Sequence, residues 1–260
     1  FEAHREFGRR FGTPSPAPSL ANRRPGRLRV GYVSADFRSH ALAAFIEPVL
    51  AHHDRALVEV TAYSNAPLED ATTARLRGLV EHFVPVAGLT DAQFVTRVRA
   101  DAIDVLVDLS GHTAGHRLLA FARRAAPVQV TWLGYPNTTG LAAMDCRLTD
   151  ARADPPGIEA LHTESLVRLP TAWCYRPWAE APAVAAPKPD ASAIAFGAMN
   201  SPAKLNGAVL AAWARILAEL PGSRLLLHAP DDVGFRGRIT GAFTDAGVEP
   251  SRVSYFPRLA

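Results

Sequence analysis

Residues 128–140 read VQVTWLGYPNTTG, an apolar β-branched run that stops at a glycine, an aromatic and a proline. Val128, Val130 and Thr131 favour a pleated, buried strand. Gly134 and Pro136 end it, because glycine tolerates φ > 0 and proline has no ladder donor. In an open parallel sheet, ligands bind where strands end at their carboxyl side. Backbone exposed by Gly134, beside Tyr135 and the hydroxyls of Thr138 and Thr139, suits a sugar or another hydroxylated ligand. The same residues also fit an ordinary strand-to-loop exit.

Working outward from this stretch, strands alternate with helical segments. Strands are expected over 28–34, 57–64, 83–86, 105–109 and 128–133, and helices over 42–52, 71–80, 91–101 and 117–124. Such alternation indicates βαβ units and a parallel sheet. Strands without clean polar alternation point to burial on both faces. Residues 170–189 then carry five prolines spaced by alanine, the composition of an extended linker. The pattern restarts beyond it, with strands over 193–197, 224–228 and 253–256 and helices over 207–220 and 235–246. The fold class is therefore α/β, with two Rossmann-like doubly wound domains, the second truncated. The expected boundaries are a helical tail and connector at 1–25, a first lobe at 26–172, a linker at 173–191 and half of a second lobe at 192–260. Two such lobes would form a cleft where both sheets present their carboxyl ends.

Composition narrows the function classes. Hydrophobic residues make up 48% and charged residues 20% of the 260, which describes a soluble globular protein. The net charge of +3 comes mostly from scattered arginines without interleaved aromatics, so no nucleic-acid stripe is present. No apolar run approaches the ~18 residues of a membrane span. Cys146 and Cys174 offer neither a disulfide framework nor metal-ligand spacing, which points to a reducing, cytoplasmic setting. There is no DxD-type acidic pair placed after a strand as a metal site, and no helical His–Glu set or G-x-S-x-G elbow for metal or serine-hydrolase chemistry.

Three strand-end loops could carry chemistry. SADFRSH places Asp36 and His40 after the first strand, where a carboxylate and an imidazole can serve a hydroxyl nucleophile. Alternatively, Asp36 or Ser39 caps the next helix and His40 is a surface residue. DLSGHTAG, residues 108–115, puts His112 and Thr113 between Gly111 and Gly115, as a turn or as an anion-binding backbone. FGAMNSPAKLN, residues 196–206, brings Asn200, Ser201 and Lys204 to a helix start, where the lysine either meets a phosphate or is solvated.

In this order, RLRVGYVSADFRSH, the DLSGHTAG…VTWLGYPNTTG block and FGAMNSPAKLN resemble the catalytic region of O-linked N-acetylglucosamine transferases. These are the SPINDLY-like enzymes of glycosyltransferase family 41, here of bacterial type. The resemblance runs from about Arg27 onward, and WLGYP-x-T-[ST]-G is its strongest motif. It implies a GT-B fold and an inverting, metal-independent and cofactor-free transfer of N-acetylglucosamine from UDP-N-acetylglucosamine to protein Ser/Thr hydroxyls. By position it assigns Asp36 and His40 to proton handling at the donor site. Leu133, Gly134, Tyr135 and Pro136 fall to the donor sugar, and Ser201 and Lys204 to the diphosphate. Which group takes the acceptor proton stays open between a side chain, a donor phosphate oxygen and water.

The sequence departs from the family pattern in places. Arg38 and Ser39 stand where the animal pattern has Gly-Asn, and the animal insert between the lobes is absent. The family's later histidine and its G-H-T-T-G loop lie outside these residues, as do the tetratricopeptide repeats expected upstream. The 260 residues alone are therefore expected to be inactive. A sugar-nucleotide epimerase of the same fold and a non-catalytic scaffold lobe are the alternative readings.

Overall fold

The computed structural model describes residues 1–12, 16, 18–23, 25–177, 181–186, 194–229 and 231–256. They form two compact units, Phe1–Ala181 and Pro182–Ala260.

Unit 1 opens with helix α1 (Glu2–Phe11) and then alternates: β1 (Leu28–Ser34), α2 (Ala41–His52), β2 (Val58–Ser64), α3 (Ala71–Arg77), β3 (His82–Pro85), α4 (Asp91–Ala100), β4 (Val105–Asp108), α5 (Leu118–Phe121) and β5 (Val128–Thr131). Two further strands, β6 (Cys146–Asp150) and β7 (Ser165–Leu169), complete a seven-stranded parallel sheet of order β3-β2-β1-β4-β5-β6-β7. Alternation along the strands feeds two cores. Val33, Tyr63 and Leu106 meet Phe94, Val98 and Phe121 on one face. Val30, Tyr32, Val60 and Val107 meet Ile46, Leu50 and Leu76 on the other. Helices on both faces are what doubly wound crossovers produce. Strand order reverses between β1 and β4, so the loops after these strands flank the switch point.

Three sequence expectations change here. β6 and β7 escaped notice because CRLTD and SLVRL are only five residues long and interrupt their apolar residues with charges, leaving no clear period. The helix expected over 117–124 shrinks to one turn, since Arg124 sits at φ 53° and cannot continue it. Residues 173–176, assigned to the linker by composition, instead lie across α2. There the Arg176 N–H donates to the Ala44 carbonyl at 2.9 Å, and Trp173 and Tyr175 contact Phe45. Residues 178–180 and 187–191 of that expected linker lie outside the described residues.

Unit 2 contains β8 (Ala195–Ala198), α6 (Gly207–Glu219), β9 (Arg224–His228), α7 (Val233–Thr244) and β10 (Val253–Phe256). Its parallel sheet has the order β10-β9-β8, and Leu210, Leu217, Leu227, Ile239 and Phe243 fill its core. Each unit by itself is thus α/β, with helices packed on a parallel sheet.

One buried polar side chain sets where β5 begins. Gln129 is fully buried; its Oε1 accepts from the Ala125 N–H at 2.9 Å and its Nε2 donates to the Phe121 and Ala143 carbonyls at 2.8 Å. Replacing it with leucine leaves the buried Ala125 N–H unpaired and removes one of the two donors to each of the Phe121 and Ala143 carbonyls, which Arg124 also serves. Gln129→Leu should lower unfolding free energy by about 2 kcal/mol or more, read by urea titration.

Candidate functional site

The loop leaving β1 is built from short-range polar bonds. The Ser34 hydroxyl accepts the Asp36 N–H at 2.9 Å, and Arg38 Nη2 donates to Asp36 Oδ1 at 3.1 Å. His40 is itself the N-cap of α2: its Nδ1 accepts the Leu42 N–H at 3.2 Å. Neither Asp36 nor Ser39 takes that cap. The neutral ring then carries its proton on Nε2, which makes His40 a donor at its exposed edge. Asp36 Oδ2 lies 3.7 Å from His40 Nδ1, so the expected pair is adjacent without a direct hydrogen bond. The far end of the loop is tied to α3, where Asp70 accepts from the Ser39 N–H at 2.6 Å and caps the helix through Thr73. These bonds, Ser39 first, hold the Asp70 carboxyl below its ordinary value.

The loop leaving β4 turns on a buried carboxylate. Asp108 is fully buried and accepts from the Ser110 N–H at 3.1 Å, the Gly111 N–H at 2.9 Å and the Thr131 hydroxyl at 2.9 Å. Burial raises its pKa, and these donors work against the rise. His112 and Thr113 are committed inward. His112 Nε2 donates to the Thr139 carbonyl at 2.8 Å, and its ring meets His4, Phe7, His116 and Tyr135 edge-on. The Thr113 hydroxyl donates to the Ser110 carbonyl. The one-turn α5 that follows presents no extended dipole to an anion.

Sharp geometry ends β5. The Gly134 N–H donates to the Trp132 carbonyl at 2.9 Å across Leu133, which sits at φ 72°. A γ-turn with positive φ is rare and strained, and a leucine there is an outlier. It also explains why the strand stops at Thr131, two residues before the sequence suggests. A Cβ on Gly134 would come within 1.8 Å of the Leu109 carbonyl oxygen, so only glycine fits. Gly111 presses likewise on Tyr135, and Gly115 on Ala35. The three loops after β1, β4 and β5 are thus in contact at the switch point.

The expected donor-side residues divide. Leu133 is buried in the core, and the Tyr135 hydroxyl bonds to His4 Nε2 at 2.8 Å beneath α1. Pro136 is exposed and Gly134, Tyr135 and Asn137 are half-buried, so residues 134–137 form the accessible surface. The hydroxyls of Thr138 and Thr139, expected to face a ligand, are fully buried and donate to Glu164 instead.

Glu164 is one of several residues that sequence reading missed. It also accepts from the Thr139 N–H at 2.7 Å. On the other side of the same loop, Arg147 Nη1 donates to the carbonyls of Tyr135 at 2.8 Å and Asn137 at 3.2 Å. Its Nε meets Asp154 at 3.0 Å. Burial pushes the Asp154 carboxyl up, but Thr149 and Arg147 bring it below its ordinary value. His162 stands 3.6 Å from Asp154, and burial lowers its pKa. No sequence signal marks these residues, since each reads as an ordinary loop or strand charge.

In unit 2, Ser201 precedes a separate 3-10 turn, Pro202–Lys204, and α6 starts later under an Asn206 cap. Lys204 is exposed and ends that turn rather than lying in the first turn of α6; Asn200 and Ser201 are exposed beside it. Among the described residues no three His, Cys, Asp or Glu side chains group as metal ligands.

Two outcomes follow from this geometry. Gly134→Ala should destabilise unit 1 by about 2 kcal/mol or more, because the backbone it strikes cannot yield. Gly88→Ala, where nothing lies within 4 Å, should stay within about 0.5 kcal/mol in the same urea titration. The lowered pKa of Asp70 means its bonds stabilise the fold fully above the unfolded carboxyl pKa. That contribution fades as pH falls through the lower folded value. Asp70→Asn should therefore flatten the acid limb of thermal stability, seen by calorimetry below about pH 4.

Comparison with known proteins gives the site its context. Residues 14–176 match the profile of glycosyl transferase family 41. The whole chain is 42% identical to the tomato (Solanum lycopersicum) protein named probable UDP-N-acetylglucosamine–peptide N-acetylglucosaminyltransferase SPINDLY, of which it covers 29%. It is 41% identical to the Arabidopsis thaliana protein of the same name, covering 30% of it. A solved structure of a mutant Thermobaculum terrenum O-GlcNAc transferase superposes with a TM-score of 0.89 at 40% identity, over 99% of this chain and 50% of that one. The chain thus spans under a third of the plant relatives and half of the bacterial structure. With the profile matching well over half of its residues, the chain belongs to glycosyl transferase family 41.

Proposed function

We propose that the protein containing this chain transfers N-acetylglucosamine from UDP-N-acetylglucosamine to Ser/Thr hydroxyls of proteins, inverting the anomeric centre and using no metal. The observation that carries this reading is the contact of three strand-end loops at the switch point of unit 1. It occurs in a chain 40% identical to a solved O-GlcNAc transferase. A cytoplasmic location and upstream tetratricopeptide repeats belong to the same proposal.

The hydroxyl oxygen attacks the anomeric carbon as the bond to the β-phosphate oxygen breaks, and UDP leaves with the electron pair. Lys204 and backbone N–H groups meet the charge of the leaving diphosphate, the role a metal would otherwise fill. The accessible face of Gly134–Pro136 lies against the sugar. His40 acts as a donor through Nε2, since its Nδ1 is occupied by the Leu42 N–H. It orients a donor oxygen and does not accept the acceptor proton. Asp36 keeps Oδ2 for the reacting groups, because Arg38 holds Oδ1. The proton leaves through a phosphate oxygen or water.

The test uses the full-length protein, UDP-N-acetylglucosamine and a Ser/Thr peptide, read by mass spectrometry. A hexosamine adduct that persists in EDTA is expected, and Lys204→Met should lower kcat/KM by roughly 10²-fold. Release of a free isomerised sugar without peptide modification would establish the epimerase instead.

A further inference from the structure

We propose that Arg147, with Glu164, is a positioning residue for the sugar half of the donor, acting through the backbone of residues 133–139. This rests on the glycosyltransferase reading above. Neither side chain reaches the accessible surface: Arg147 and Glu164 are each about 4% exposed. Both touch the loop immediately beyond the strained Leu133 turn. Arg147 Nη1 bridges the carbonyls on either side of Pro136, and Glu164 takes the Thr138 hydroxyl together with the Thr139 N–H and hydroxyl.

A loop that needed only to close could be held by apolar packing, without the desolvation cost of a buried guanidinium and two buried carboxylates. What the charges add is direction. One guanidinium atom fixes two carbonyls, and Asp154 fixes the guanidinium through Nε. Asp154 is itself held by the Thr149 hydroxyl, and His162 packs beside it. The chain of contacts runs from β6 and the segment before β7 to the stretch of the loop that stays accessible, residues 134–137. Leu133 cannot relax out of positive φ while residues 135–139 are held. Gly134 cannot retreat either, because the Leu109 carbonyl backs it. The clamp therefore sets the surface offered to the sugar, and binding of UDP alone does not depend on it.

Full-length wild type, Arg147→Lys and Glu164→Gln would be titrated with UDP-N-acetylglucosamine and, separately, with UDP. Lysine keeps the positive charge but has one nitrogen, so it cannot take the place of Nη1 at the two carbonyls and of Nε at Asp154 at the same time. Glutamine keeps the volume but places an N–H₂ at one of the two positions where an oxygen now accepts. In each variant Kd for UDP-N-acetylglucosamine should rise about tenfold or more, with KM following, while Kd for UDP stays within about twofold. Equal weakening of both ligands, or failure of both variants to fold, would show a general structural role and overturn the proposal. Unchanged affinity for both ligands overturns it as well. Failure of the wild type to bind UDP-N-acetylglucosamine would sink the underlying donor reading, an outcome distinct from wild-type binding that the variants leave intact.

Discussion

Leu133 holds a positive φ without a glycine's freedom to do so, and the centre of unit 1 is arranged around that turn. Such a backbone persists only where its surroundings over-determine it. Here they do so from three directions. The Leu109 carbonyl stops Gly134 on the β4 side. The Trp132 indole is tied to the Ala172 carbonyl at 3.0 Å on the other side. Arg147 and Glu164 hold the chain that follows. Strain and buried charge are both costly alone, and together they leave the loop a single conformation.

The same economy of contacts joins the three loops. Glycines at 111, 115 and 134 are needed because neighbouring loops occupy the space a Cβ would take, not simply because a turn needs freedom. Asp108 does the complementary work from within, since one buried carboxylate organises its own loop and bonds to Thr131 of β5. Loops that cannot move independently present one fixed backbone surface at the switch point, and on the function proposed above that surface is the one that meets the donor sugar.

Much of this was legible in the sequence. The alternation of apolar runs and helical segments located most strands to within a residue or two, because side-chain periodicity follows directly from backbone geometry. Asp36, His40, Gly134 and Lys204 could be singled out because residue types near strand ends are restricted by the chemistry of loops. What the sequence withheld were relationships. Nothing local says that His40 caps α2 through Nδ1, or that Tyr135 turns toward α1. Nor does anything local say that the Thr138 and Thr139 hydroxyls are spent on Glu164. CRLTD, with two charges in five residues, does not look like a buried strand until Asp154 is seen beside Arg147.

By itself, then, the sequence determined the α/β class, the order of the elements, the identity of the strand-end loops and the family resemblance. Each of these depends on short-range pattern or on a motif readable in one dimension. The tertiary structure alone decided which side chains are consumed in holding the loops and which remain for a ligand. That division depends on partners up to 131 residues away, as His4 and Tyr135 are. A buried charge and a solvated one are written with the same letter, and only the fold supplies the desolvation and the partner that make them different.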